Sequence, residues 1–162
     1  MWQMLCRKTR RFRGDDRGLQ LVELAIALPI MIVLFATVAE FGRYFQAYST
    51  LAKGSRVAAR YLATAPADGS NDFAAKNLVV YGNLTGTGNP IANDLTIENV
   101  DILRRDAFGN PTTGCPTTVT VEISDFKHQP VFDLGKLMKS SLTLNIDIKP
   151  SVTMRYLLTQ CT

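Results

Sequence analysis

The chain opens on a polar, basic leader and then changes character. From Leu19 to Ala39 run 21 residues in which only Gln20 and Glu23 are strongly polar. As a helix that run rises about 31 Å, enough to span the hydrocarbon core of a bilayer. Past it, Glu40 to Ala63 holds no proline and two glycines, Gly42 and Gly54. Phe41, Tyr44, Phe45, Tyr48, Leu51, Ala52, Val57 (or Ala58), Ala59 and Leu62 fall close to an i, i+3, i+4 stripe. Lys53, Arg56 and Arg60 lie on the other side, so the pattern predicts one helix that continues until Pro66 stops it. Phe41, Tyr44, Phe45 and Tyr48 suit either a membrane-interface belt or packing against a domain, and the pattern does not choose.

Beyond Pro66 the period changes. Ser70 or Asn71 offers an N-cap for a short second helix over Ala74–Tyr81, closed by Gly82. The stretch GNLTGTGNP, 82–90, reads as a turn, because it lacks the glycine spacing and the G-K-[ST] of a phosphate loop. Leu95 and Ile97 alternate, and Val100 and Ile102 alternate in the opposite register, which predicts a strand with a bulge near Asn99. Val119, Val121 and Ile123 predict a second strand, and Leu142, Leu144, Ile146 and Ile148 a third. Val152, Met154 and Tyr156 resume that register after Pro150, which marks an edge or a break. The expected fold is α+β. A long N-terminal transmembrane and spine helix and a short second helix carry a small antiparallel sheet of three or four strands, packed on the long helix.

Charge adds an orientation. Six bases precede Gly18 (Arg7, Lys8, Arg10, Arg11, Arg13 and Arg17) against Asp15 and Asp16, which accounts for the whole net charge of +4. The remainder has 12 bases and 12 acids and no basic face for phosphates, so nucleic acid is excluded as a partner. A basic flank directly before an apolar helix predicts its N-terminus in the cytoplasm. The expected layout is a basic leader over 1–18, a transmembrane helix over 19–39, its continuation over 40–65 and an extracytoplasmic α+β domain over 66–162.

Cys115 and Cys161 then fall in an oxidising compartment, far from Cys6 in the leader. Neither belongs to a metal-spaced or C-x-x-C motif. Paired, they would add about 4 kcal/mol on the chain-entropy model, less any strain. The alternative is two unlinked buried thiols. Catalytic constellations are hard to find. The lone histidine, His128 in DFKHQP, reads as an exposed loop residue, and the scattered acids have no EF-hand spacing. No enzyme, cofactor or metal is expected.

Three readings of the apolar run compete. Thr37-Val38-Ala39 before Glu40 has the small residues of a secretory cleavage site, but the run is longer than such signals. A plain uncleaved anchor explains the length and leaves Glu23 without a purpose, although a carboxylate at membrane depth is costly. The third reading joins Gly18 to Glu23. The stretch RG-LQLVE resembles the processing site of type IV prepilins, which a prepilin peptidase cuts after the glycine. Val22-Glu23, Ala25, Ala27, the mid-helix Pro29, the Glu40-x-Gly42-Arg43 triplet and the Ala/Arg-rich continuation to Arg60 are similar to the TadE-like minor pilins (pseudopilins) of tight-adherence, or Tad, pilus systems. The resemblance covers roughly residues 17–63.

It implies cleavage between Gly18 and Leu19, which would leave a cationic α-amine on Leu19. Glu23, about one turn away, would pair with the amine of a neighbouring subunit and set the register of assembly. Pro29 would loosen or kink the helix. The implied setting is the bacterial inner membrane, crossed once, with the C-terminal domain in the periplasm and incorporation into the pilus open. The implied partners are other pilins through the N-terminal helix, the prepilin peptidase and the pilus assembly platform, in a pilus used for surface adhesion. The alternatives are an uncleaved single-pass envelope protein and a type II secretion pseudopilin. Pro29 and the Glu40-x-Gly42-Arg43 triplet stand against the second.

Overall fold

A computed structural model describes residues 16–131 and 145–158. The chain divides into two compact units, Met1–Glu40 and Phe41–Thr162. Helix α1, Asp16–Ala63, contributes to both, and α2 spans Asp72–Tyr81. A 3-10 turn, Ile97–Asn99, leads into strands β1 (Val100–Arg105), β2 (Thr118–Ile123) and β3 (Ser151–Arg155). The α+β class is as expected, with three antiparallel strands among the described residues.

In the first unit the apolar run is helical throughout, and the helix is unbroken at Pro29. Its side chains are exposed all round, from Leu19 and Leu21 through Phe35 to Val38. A helix apolar on every side is not built to face water on any of them.

The second unit is built on one face of α1. Leu51, Ser55, Ala58, Ala59 and Leu62 are buried there against Ala75, Val79 and Val80 of α2 and against Val100, Val119, Val121 and Ile123 of the sheet. Small residues let the elements approach. A β-carbon on Gly54 would lie 3.4 Å from the Val79 carbonyl oxygen and 3.5 Å from its Cα. Asn71, one of the two caps the sequence offers, stands at the N-cap of α2, but its side chain does not cap the helix. It accepts a hydrogen bond from the Tyr61 hydroxyl at 2.9 Å and so fastens α2 to α1. Gly82 ends α2 in the left-handed region, φ 73°, a cost only glycine escapes.

β2 is the central strand, with Val121 opposite Ile102 of β1 and Val152 of β3. The Thr120 and Thr153 hydroxyls share a hydrogen bond of 2.8 Å across the second pair. After β3 the chain returns to the end of α1. The Leu157 amide donates to the Ala63 carbonyl at 2.9 Å, and the Tyr156 hydroxyl donates to the Ala65 carbonyl.

Among the described residues one ion pair joins helix to sheet. Arg104 on β1 donates from both terminal nitrogens to Asp72, in the first turn of α2, with Nη1 to Oδ2 at 3.0 Å. The Asp72 carboxylate raises the Arg104 pKa further above its ordinary value, against the opposing effect of burial.

Three expectations change, and that for Pro150 holds. Leu95–Asn99 is not a bulged strand. The Asn99 side chain takes the Thr96 amide at 3.0 Å and forms a capping box, which curls the backbone into the 3-10 turn. Leu142 and Leu144 lie outside the described residues, and Asn145–Ile148 makes a single bridge, Lys127 with Asp147, rather than a strand. Pro150 marks the break, for β3 begins at the next residue. His128 is buried, not exposed, with its ring edge-on to Tyr44 at 5.7 Å.

Candidate assembly helix

Every candidate functional residue before Cys115 lies on α1. Gly18 and Leu19 sit in its first turns, exposed, with open space where a Gly18 β-carbon would be. Glu23 is four residues beyond Leu19, one turn along the same face. It is exposed among Leu21, Val22, Leu24 and Ile26, and no partner for it occurs among the described residues. A carboxylate set in an apolar, outward-facing surface needs a counter-charge from another molecule once water is withdrawn.

The triplet splits by face. Glu40 is 4% exposed, the only buried side chain from Gly18 to Glu40. Gly42 faces open space, and Arg43 is exposed and borders a cavity of about 470 Å³ with Gln46, Thr50, Asn93, Lys127 and His128. The aromatic cluster splits as well: Tyr44 packs on the core, while Phe41, Phe45 and Tyr48 are exposed. The burial of Glu40 was missed from sequence, whereas Tyr44 takes the domain-packing alternative that the pattern left open. The signal was present, since positions 40, 44, 47, 51, 58 and 62 recur at helical spacing.

Cys115 lies just before β2, and Cys161 lies outside the described residues. Among the described residues no cluster of His, Cys, Asp and Glu has the makings of a metal site. One helix, Gly18–Ala63, is long and apolar enough to cross a membrane, with a mean hydropathy of 2.5 over its most apolar stretch.

A family match falls on that segment. The family model for TadE-like protein matches residues 18–60. Residues 18–60 are TadE-like. No curated protein and no solved structure matches the chain. The TadE-like segment begins at Gly18 and takes in Glu23, Pro29 and the 40–43 triplet, and it stops short of α2 and the sheet. The match likens this segment to pilin-like components of Tad pili in general, and the exposed apolar helix fits anchoring in a membrane.

Proposed function

We propose that this chain is a minor pilin, or pseudopilin, that takes part in assembling a Tad pilus. A prepilin peptidase would cut between Gly18 and Leu19. The subunit then sits in the inner membrane with its N-terminus inside and its α+β domain in the periplasm, from where it joins other pilins and the assembly platform. Its part is structural, not enzymatic. The observation that carries the reading is Glu23, without a partner among the described residues, one turn from Leu19, inside the TadE-like segment and on an outward-facing apolar helix.

The mechanism follows from the cost of a lone charge in hydrocarbon. Leader removal creates a cation at Leu19, and a neighbour's cation is the group that Glu23 can accept without the full desolvation cost. A subunit out of register leaves both charges unpaired, so the pair selects one stagger. Outside the membrane, a bridge between Cys115 and Cys161 would tie the chain end to the start of β2. Thiol labelling of the denatured, unreduced protein leaves both unmodified if the bridge exists, and labels both if it does not.

Glu23→Ala tests the register. The expected result is a processed subunit that stays in the membrane and fails to crosslink to neighbouring pilins. Unchanged crosslinks and unchanged piliation would remove Glu23 from assembly.

A further inference from the structure

The outer face of α1 in the second unit carries charge of one sign. From Phe41 to Ala63 the helix has four bases, Arg43, Lys53, Arg56 and Arg60, and no acid. At 100° per residue, Gly42, Phe45, Ser49, Lys53, Arg56 and Arg60 fall within an arc of about 80°, opposite the buried Leu51, Ala58 and Leu62. Phe45 is 70% exposed, and the three bases are exposed too. They are spaced three and four apart, where like charges destabilise a helix on its own. The ion pairs among the described residues, Arg104 with Asp72 and Lys149 with Asp147, leave all three out.

Gly42 adds a second, separate observation. A glycine inside a helix is less stable than alanine. Gly54 has a reason in this fold, the close approach of Val79, whereas a β-carbon on Gly42 would meet nothing within 4 Å. Nor is its φ in the left-handed region. The fold of this chain gives Gly42 no purpose, and it forms a notch beside the exposed Phe45 ring.

We propose that this face docks a helix of another protein whose carboxylates recur at three- and four-residue spacing, to meet Lys53, Arg56 and Arg60, and whose backbone or side chain enters the Gly42 notch. Charge chooses the occupant. A second copy presents the same three bases, so self-docking through this face sets like charges together. An anionic lipid surface would satisfy the bases and has no use for a glycine notch beside an aromatic ring. The proposal deepens the pilin-like reading by giving the chemistry of the neighbour outside the membrane.

The test places the photo-crosslinker benzoylphenylalanine at Ser49 of the full chain in its own cells. The expected adduct is to a different chain, mapped to a helix with carboxylates at the stated spacing. Combining Lys53→Glu, Arg56→Glu and Arg60→Glu lowers its yield about tenfold or more, and reversing the mapped carboxylates to lysine restores it. Gly42→Trp, which fills the notch and leaves the charges, lowers the yield as well. Adducts to lipid alone, to a second copy or to nothing overturn the proposal, as does an adduct indifferent to charge reversal. Its failure is separable from that of the pilin reading. A processed, assembling subunit without the adduct sinks the acidic partner alone. A never-processed subunit with the adduct sinks the processed pilin and keeps the partner.

Discussion

Replacing Asp72 by alanine strips the partner from a cation that the fold has largely removed from water. The Arg104 side chain is 13% exposed and that of Asp72 31%, so the two ends of the pair are unequal. An exposed ion pair contributes roughly 0–1 kcal/mol, whereas losing one member of a buried pair costs about 3–5 kcal/mol. This pair lies between, nearer the buried case for Arg104. Asp72→Ala also removes a negative charge from the first turn of α2, worth about 0.5 kcal/mol. The expected loss is about 2–3 kcal/mol, which lowers Tm by roughly 10 °C in a unit of this size. Arg104→Ala leaves Asp72 partly hydrated and still at a helix N-terminus, so the expected loss is smaller, about 1–2 kcal/mol. The double variant costs less than the sum, with a coupling of about 1 kcal/mol or more. The assay is thermal unfolding of the full chain in detergent, followed by near-ultraviolet circular dichroism of tyrosine. All five tyrosines, Tyr44, Tyr48, Tyr61, Tyr81 and Tyr156, lie in the second unit. Additive losses would refute the claim that the pair clamps α2 to the sheet, and equal single losses would refute the claim that its two ends are unequally removed from water.

Two further outcomes follow from single groups. The Ser55 hydroxyl is fully buried without a hydrogen-bond partner among the described residues, so Ser55→Ala raises stability by about 1 kcal/mol in the same melt, and a loss would show that the hydroxyl is satisfied. In the loop after β1 the Asp106 carboxylate accepts the Phe108 and Asn110 amides, both at 2.9 Å, and these bonds hold its pKa below the ordinary value. Stability from a depressed acid is present above its unfolded pKa and is lost as pH falls through the folded one. The Phe108 and Asn110 amide resonances therefore move together below the usual carboxylate range, and movement at the ordinary value would remove the loop's anchor.

The sequence carried the local parts of this structure and missed the distant ones. The extent of α1, the apolar run and the order Gly18, Leu19, Glu23 are readable because each depends on neighbours within two helical turns. α2 was legible to within two residues, and β2 and β3 from their alternation. Leu95 and Ile97 alternate as a strand does, yet the Asn99 side chain captures the backbone, and side-chain capture leaves no mark on periodicity. His128 looked exposed because loops usually are, and its burial depends on Tyr44, 84 positions earlier. Arg104 and Asp72, 32 residues apart, could be paired only by the fold.

The most direct measurement is the intact mass of the protein from cells with and without the cognate prepilin peptidase. A product starting at Leu19 that appears only with the peptidase is the predicted result, since it creates the cation that Glu23 requires. A full-length mass in both would contradict it and make the helix a plain anchor, and a product starting at Glu40 would make the apolar run a secretory signal.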